Sequence, residues 1–250
     1  MKILLLDIET APNRTYTWGL WNQNIAPSQI EEPGYTLCWA AKWLGKSRMH
    51  YASLFKDGKE AMLEEIYDML DLADVVIHYN GKKFDIPILN QEFLSLGWAP
   101  PSPIIQIDLL RVVRSNFKLQ SNKLSYVAHY LGLGGKLPHK GMELWRECMN
   151  MVPSAWKTME AYNKQDVTLL EKLYARLIPW IRNHPNYGLF INAKEKICPN
   201  CGSNSLQKRG KAYTNTLTYQ RYRCNACGSW SKDRYNNLSK EARENVVKGI

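Results

Sequence analysis

The sequence predicts an α/β domain with a mixed β-sheet covered by helices, followed by a small cysteine-rich unit. Three observations support this prediction. Two strand-like segments come first in a hairpin arrangement, later strands alternate with helical patterns, and four cysteines lie in two Cys-x-x-Cys pairs near the C terminus. Because a domain takes about 100 to 200 residues, a chain of 250 residues has room for one sizeable domain and one small module.

The predicted strands begin with an apolar run at residues 2–6, which is too short for a normal helix and is typical of a central strand buried on both faces. Several prolines in residues 11–34 predict a long irregular excursion rather than a packed element. Residues 36–45 and 49–55 predict two more strands joined as a hairpin. Two further strands are expected at residues 74–80 and 104–108.

Helices are expected where apolar residues recur at helical spacing. In residues 58–73 the side chains of Met62, Leu63 and Ile66 fall on one helical face. The same reasoning predicts helices at residues 85–97, 109–117, 124–133 and 153–180. Ser154 is expected to cap the last of these.

The composition is that of a soluble globular protein, with 45% hydrophobic and 22% charged residues, and excludes a disordered or fibrous chain. Asp7 and Glu9 interrupt the opening apolar run before it reaches the length of a signal-peptide core. No stretch is long and apolar enough to span a bilayer. We expect a cytoplasmic protein, in the host cytoplasm if the chain is phage-encoded, with no membrane partner.

The net charge of +10 is unevenly distributed along the chain. Residues 194–250 contain twelve Lys and Arg against four Asp and Glu, so this segment carries +8 and residues 1–193 carry +2. Such a basic segment favours a polyanionic partner, because neutralised phosphates release counterions. A merely solvated surface would have the same composition.

Four carboxylates stand where elements of the predicted domain end or begin. Asp7 and Glu9 follow the first strand and, one residue apart, point to the same face. Asp85 opens a helix after a Gly-containing turn, and Asp166 lies one helical turn after Tyr162. Ligands of open α/β sheets bind in the crevice beyond the strand ends, where these carboxylates could converge on divalent metal ions. Each one alone could equally be a cap, a turn residue or a packing position.

Taken together, three segments resemble the exonuclease motifs of the DEDD superfamily in its tyrosine-type (DEDDy) variant. They are Asp7-Ile8-Glu9-Thr10, Asn80-Gly81-Lys82-Lys83-Phe84-Asp85 and Tyr162-Asn163-Lys164-Gln165-Asp166. The second motif is most similar to the proofreading domain of family B DNA polymerases. The histidine-type variant would need His five residues before Asp166, where this chain has Ala161. The resemblance covers roughly residues 1 to 180.

The resemblance implies an RNase H-like fold and a metal-dependent 3′–5′ exonuclease that hydrolyses DNA to nucleoside 5′-monophosphates. Two Mg²⁺ or Mn²⁺ ions would be held by Asp7, Glu9, Asp85 and Asp166. Tyr162 would orient the attacking water through its hydroxyl group. Single-stranded DNA or DNA 3′ ends are the expected partners, with RNA as an alternative substrate and replication or repair proteins as further candidates.

Three other groups outside the motifs have a structural interpretation. Asp108, a fifth acid, is interpreted as the cap of the following helix, and an assisting role at the metals is the alternative. Cys38 and Cys148 lie far apart in apolar or helical surroundings and are predicted to be buried thiols. No disulfide framework is therefore expected.

The remaining cysteines predict a four-thiolate zinc site. Cys198 and Cys201 form the first pair, and Cys224 and Cys227 follow 22 residues later, which is close to the spacing of a zinc ribbon. Partial alternation between the pairs predicts two strands. One structural Zn²⁺ is expected, and it would stabilise the fold rather than catalyse.

The predicted ribbon carries basic and aromatic side chains that could bind nucleic acid, because cations neutralise phosphates while aromatic rings stack on bases. The expected contact residues are Lys208, Arg209, Lys211, Arg221, Arg223 and Trp230, near Lys232, Arg234 and several tyrosines. A solvated charged face and a protein-binding ribbon are the alternatives. We predict an exonuclease domain at residues 1–183, a linker at 184–196 and the zinc ribbon at 197–250.

Two alternatives to a DNA exonuclease stay open at this point. An RNA 3′-end exoribonuclease would use the same site, since nothing in the sequence identifies a contact to a 2′-hydroxyl group. A non-catalytic nucleic-acid-binding protein could be built on a retired nuclease fold, although the complete set of acids and Tyr162 argues against it.

Overall fold

The computed structural model describes residues 1–135 and 137–249. The chain divides into two compact units, one of residues 2–174 and one from Ala175 onward together with Met1. Among the described residues, no helix combines the length and apolar character that a membrane crossing would require. The predicted linker at residues 184–196 belongs to the second unit, where the Tyr187 N–H donates to the Pro199 carbonyl at 2.7 Å.

The secondary structure alternates between strands and helices. The strands are β1 (Ile3–Thr10), β2 (Arg14–Thr15), β3 (Ile30–Glu32), β4 (Thr36–Trp43), β5 (Met49–Ser53), β6 (Val75–His78), β7 (Ile105–Asp108), β8 (Leu206–Tyr213), β9 (Thr218–Cys224) and β10 (Trp230–Lys232). The helices are α1 (Leu54–Asp57), α2 (Lys59–Leu72), α3 (Asp85–Ser95), α4 (Leu109–Asn116), α5 (Leu124–Tyr130), α6 (Met142–Met149), α7 (Pro153–Leu177) and α8 (Lys240–Glu244).

The first unit is built on a five-stranded sheet in the order β5-β4-β1-β6-β7. Strands β5, β4 and β1 are antiparallel neighbours, whereas β1, β6 and β7 run parallel. This arrangement confirms the predicted mixed sheet and the predicted hairpin of β4 and β5. Strand β1 lies at the centre, between an antiparallel and a parallel neighbour, which agrees with its continuous apolar sequence.

The two faces of the sheet bury different helices. Leu4, Leu6 and Ile8 of β1 pack with Trp39 of β4 in a cluster that contains apolar side chains of α2 and α3. On the opposite face, Cys38 of β4 packs in a second cluster with side chains of α6 and α7. Side chains alternate along a strand, so Asp7 and Glu9 share the face opposite Ile8, on which α7 packs. The central strand therefore directs both carboxylates toward α7.

The structure corrects four of the local predictions. Strand β1 extends to Thr10, so Asp7 and Glu9 lie within it and not after its end. Residues 11–34 are not wholly irregular, because β2 and β3 pair and Arg14 contacts Glu32 at 3.2 Å. Helix α6 lies in a region for which no helix was predicted. Helix α7 begins at Pro153, which suits the first helical position, so Ser154 lies inside its first turn and is not its cap.

The second unit contains a three-stranded antiparallel sheet in the order β10-β9-β8, one strand more than the two predicted. Residues beside the two cysteine pairs form hydrogen bonds with a short 3-10 turn at Ile178–Trp180. Asn200 Nδ2 and Ser229 Oγ both donate to the Ile178 carbonyl, at 3.1 and 3.5 Å. These hydrogen bonds place both cysteine pairs against the same turn of the chain.

Candidate active site

The end of strand β1 forms one wall of an acidic site. Its parallel pairing with β6 covers only Ile3 to Leu5, while its antiparallel pairing with β4 continues to Thr10. Asp7 and Glu9 therefore lie beyond the end of the parallel neighbour, where a crevice forms in open α/β sheets. Both side chains are partly accessible to solvent.

Helix α7 brings a third carboxylate to this strand. One carboxylate oxygen from each of Asp7, Glu9 and Asp166 lies within 4.8 Å of the others. Asp166 is buried, in contrast to the two strand residues. Three like charges at this distance repel one another in a medium less polar than water. Their convergence is the arrangement expected of a cation site.

The oxygen donors fit a hard divalent cation. Mg²⁺ prefers carboxylate ligands at about 2.1 Å, which puts oxygens on opposite sides of the ion about 4.2 Å apart. The three oxygens of the site, all within 4.8 Å of one another, span a distance similar to the width of such a coordination sphere. The partial exposure of Asp7 and Glu9 leaves a route for the ion and for water.

Asp85 lies beside this group but does not belong to the cluster of three. It is the first residue of α3, and its Oδ1 accepts the backbone N–H of Ile8 at 3.2 Å. Burial, together with the charge of Asp108, raises the pKa of Asp85 to about 7 even though the N–H groups of Asp85 and Ile8, which hydrogen-bond to it, lower the pKa. Without a cation nearby, Asp85 is therefore held partly protonated at neutral pH.

Asn163 is a site residue that the sequence interpretation missed. Its Nδ2 donates to the Asp7 carboxylate at 2.7 Å and to the Asp7 carbonyl at 3.2 Å. The amide is fully buried, and its oxygen lies 3.9 Å from the Cys38 sulfur. A buried neutral donor fixes the direction of a carboxylate without neutralising its charge. The only sequence signal was its position between Tyr162 and Asp166, one residue from the face that carries them.

Tyr162 lies on α7 one turn before Asp166 and is buried in an aromatic group. The rings of His139 and Trp145 contact it edge-on, with centroid distances of 4.9 and 6.1 Å. Packing on two sides restricts the rotation of the phenol ring. Neither contact was anticipated, since both partners come from the region around α6.

Asp108 has the structural role that was favoured for it. It precedes α4, and its Oδ1 accepts the N–H groups of Leu110 at 3.0 Å and of Asn80 at 2.9 Å. The first is a helix cap. The second holds the turn before Asp85, in which Asn80 adopts a positive φ of 71°. Asp108 thus supports the second motif through the backbone.

A basic cavity of about 590 Å³ lies beside the second motif. Its lining combines Asn80 and Asp108 with four cations from the motif loop and from α4. The cations are Lys82, Lys83, Arg111 and Arg114. Such a concentration of positive charge next to an acidic site suits an extended polyanion better than a small neutral ligand.

The four cysteines of the second unit converge as a separate group. Their sulfur atoms all lie within 4.8 Å of one another, with 3.6 Å between Cys198 and Cys227 and 3.7 Å between Cys201 and Cys224. A disulfide would need about 2.05 Å, whereas a tetrahedral ion with bonds of about 2.3 Å separates its sulfurs by about 3.8 Å. The group therefore fits a four-thiolate metal site in a zinc ribbon. Cys38 and Cys148 are confirmed as buried free thiols.

Comparisons with known proteins agree with this architecture. A family model described as the RNase H superfamily matches residues 4–178. A search of curated proteins gave no match. Solved structures do match, among them the family B DNA polymerase from the hyperthermophilic archaeon Pyrobaculum calidifontis, with a TM-score of 0.53 and 16% identity. That match covers 85% of this chain and 31% of the polymerase chain, so this chain spans about a third of the polymerase and shares the fold of that part.

Proposed function

Because the chain belongs to the RNase H superfamily, we propose that it is a metal-dependent nuclease that removes nucleotides from the 3′ end of DNA. The single observation that carries this proposal is the convergence of Asp7, Glu9 and Asp166 within 4.8 Å. Carboxylate oxygens that converge this closely form the kind of ligand set that hard divalent cations prefer.

We propose that two Mg²⁺ or Mn²⁺ ions would be held here, with Asp7, Glu9 and Asp166 as the principal ligands and Asp85 as an additional one. Asp85 would act directly or through water. Bound ions would supply an activated water molecule and offset the charge on the departing 3′ oxygen. One carboxylate cluster and one nearby acid with a raised pKa support this division of roles.

Other side chains would position the reacting groups. The phenol of Tyr162, held by His139 and Trp145, would orient the attacking water. Asn163 would keep Asp7 in its ligating rotamer through the 2.7 Å hydrogen bond. In the reaction, the water oxygen bonds to phosphorus and the bond from phosphorus to the 3′ oxygen breaks. A nucleoside 5′-monophosphate leaves, and the shortened strand keeps a 3′ hydroxyl.

The basic cavity is the proposed path of the strand that leads to the site. Lys82 and Lys83 precede Asp85 by three and two residues, and Arg111 and Arg114 lie on α4. Lys and Arg at these positions would contact phosphates of the strand beyond its last nucleotide, which gives affinity without base specificity. Contacts in this cavity would therefore hold the strand while its 3′ end lies in the acidic site.

DNA is preferred as the substrate because the second motif is most similar to that of family B polymerase proofreading domains, and one matching structure is a family B DNA polymerase. We propose Zn²⁺ as the ion of the ribbon, since four thiolates at tetrahedral distances favour it. In this proposal the zinc is structural and takes no part in hydrolysis.

The test uses the purified full chain with Mg²⁺ or Mn²⁺ and 5′-labelled substrates. These are single-stranded DNA, duplex DNA with a recessed 3′ end and matched RNA, and an internally labelled circular single-stranded DNA serves as the substrate without ends. We expect progressive shortening of linear DNA from the 3′ end and no cleavage of the circle. Asp7→Asn and Asp166→Asn should abolish the activity while the proteins stay folded by circular dichroism.

Three results would contradict parts of this proposal. Cleavage of the circle would assign an endonuclease, and faster shortening of RNA than of DNA would change the substrate. Full activity of the Asp7→Asn variant would remove the metal-site assignment altogether. Circular dichroism identifies a variant that has lost activity by unfolding, and Asp68→Asn at an exposed position of α2 is a control for the loss of one carboxylate that should keep full activity.

A further inference from the structure

The strand register of the second unit sorts its basic and aromatic side chains onto two faces. Residues paired across antiparallel strands point to the same side. Lys208 is paired with Tyr222, and Lys211 with Gln220, so these lysines share the face of Cys224, two residues after Tyr222. We call this the cysteine face. It separates Lys208 and Lys211 from the other residues expected to contact nucleic acid, and we assign no such contact to either lysine.

The opposite side, here called the outer face, carries a denser set of charged and aromatic groups. Trp230 is paired with Arg223, Lys232 with Arg221, and Ala212 with Tyr219. Arg209 belongs to the same face, because its Nε donates to Gln207, the β8 partner of Arg223. The members with functional side chains are Arg209, Tyr219, Arg221, Arg223, Trp230 and Lys232.

Cations and rings on the outer face are stacked in pairs. The Arg221 guanidinium lies 4.9 Å from the centre of the Trp230 ring, and the Lys232 ammonium lies 4.1 Å from that of Tyr219. Both distances are within the range of cation–π attraction. Trp230 is nevertheless 52% exposed, so much of its ring stays accessible to a ligand.

The outer face carries an excess of positive charge. Arg221 and Lys232 are directly opposite each other, a like-charge pair that destabilises an antiparallel sheet. Arg223 adds a third cation beside them. No carboxylate lies among the described residues paired on this face, whereas on the other side Asp233 binds Lys196 and Tyr222. An anion bound on the outer face would offset this repulsion.

We propose that the outer face of the ribbon sheet binds an unpaired polynucleotide strand. Its phosphates would contact Arg209, Arg221, Arg223 and Lys232, and its bases would stack on Trp230 and Tyr219. A single strand presents phosphates and open base faces together. A duplex offers only phosphates to such a surface, because its bases are stacked inside. An acidic protein surface would offer negative charges but no comparable series of flat rings.

The proposal concerns binding and not hydrolysis, so its test does not depend on the proposed nuclease activity. The full-length chain carries Asp7→Asn and is assayed without Mg²⁺ or Mn²⁺, with zinc content checked for each variant. Fluorescence anisotropy measures binding of an oligothymidylate of about 20 nucleotides, a matched oligouridylate and a matched duplex. Oligothymidylate and oligouridylate distinguish DNA from RNA as the source of the strand.

Two matched pairs of variants separate the faces. Arg223→Ala on the outer face is compared with Lys208→Ala on the cysteine face, since each removes one exposed cation. Trp230→Ala is compared with Tyr213→Ala, which removes an exposed ring paired with Thr218 on the cysteine face.

We expect Trp230→Ala to weaken single-strand binding by about 5- to 100-fold, the range for loss of one stacked base. Arg223→Ala should reduce the slope of log K against log salt by about 0.7, the value for one lost phosphate contact on a single strand. Lys208→Ala and Tyr213→Ala should change neither quantity by more than about twofold.

Equal losses in both members of each pair would overturn the proposal, because binding would then follow net charge and not this face. Stronger binding of the duplex than of either single strand would overturn it too. An unchanged affinity in Trp230→Ala with normal zinc content would remove the stacking role and leave the face to a different kind of partner.

Discussion

Replacing Asp85 with Asn should stabilise the metal-free protein while it impairs the proposed metal site. The side chain is 4% exposed and its pKa in the folded protein is raised to about 7, first by burial and then by Asp108. Asn keeps the oxygen that accepts the Ile8 N–H but has no charge to desolvate. The variant thus tests whether the Asp85 carboxylate lowers the stability of the metal-free protein while it serves the proposed metal site.

The magnitude follows from linkage between proton binding and folding. An unfolded Asp has a pKa of about 3.9, and the folded value is about 7, so the folded state binds the extra proton between about pH 4 and 7. Stability therefore falls as pH rises through this window. At about 1.4 kcal/mol per pKa unit, the penalty at pH 8 is on the order of 4 kcal/mol. Asp85→Asn should recover much of it.

The assay is urea unfolding of both proteins in Mg²⁺-free buffer at several pH values between 4 and 8, without a chelator that would remove zinc. The difference in unfolding free energy should be small near pH 4 and should grow toward pH 8 in favour of Asp85→Asn. Adding Mg²⁺ should stabilise the wild type more than the variant, because ion binding to the folded state adds stability. Asp68→Asn, on the exposed side of α2, should show neither effect.

A variant that is less stable than the wild type at pH 8, or a difference that does not change with pH, would refute this reasoning. The first result would mean that the carboxylate of Asp85 is stabilised by a partner stronger than the burial penalty. The second would mean that Asp85 has the same pKa in the folded and unfolded chains.

Three other changes have defined expectations. Asn163→Ala should reduce nuclease activity by about 10- to 100-fold and raise the Mg²⁺ concentration needed for half-maximal rate, because Asp7 loses its 2.7 Å hydrogen-bond donor. An unchanged dependence on Mg²⁺ would contradict a role for Asn163 in positioning Asp7. Cys224→Ser should lower the zinc content below one ion per chain by atomic absorption, whereas Cys148→Ser should not. Glu92→Ala should lower the unfolding free energy by about 1 to 3 kcal/mol in urea titrations, because buried Glu92 accepts the Thr36 N–H and pairs with Lys59, both at 2.8 Å. A loss below about 0.5 kcal/mol would contradict that estimate.

The predicted fold class is confirmed by the mixed sheet and by the superfamily match over residues 4–178. The apolar run of β1 and the helical spacing in α2 were strong local signals because burial follows the period of the backbone. Helix α6 was missed, since it is only eight residues long and buries just Leu144 and Cys148. Ser154 was misread because a proline can occupy the first helical position without a preceding signal.

The site shows the same division between local and distant information. The shared face of Asp7 and Glu9 and the one-turn spacing of Tyr162 and Asp166 are consequences of strand and helix periods. The hydrogen bond from Asn163 to Asp7 joins residues 156 positions apart, and no local pattern encodes it. The aromatic contacts of Tyr162 likewise depend on how the chain around α6 folds back.

The sequence by itself determined the fold class, the set of acids and the two cysteine pairs, because these depend on residue type and on periods that the backbone geometry imposes. Only the tertiary structure decided that Asp85 stands beside the cluster of Asp7, Glu9 and Asp166 instead of within it. Strand register alone separated Arg223 from Lys208 on the ribbon sheet. Distances between elements follow from strand order, register and helix packing, which a linear pattern does not specify.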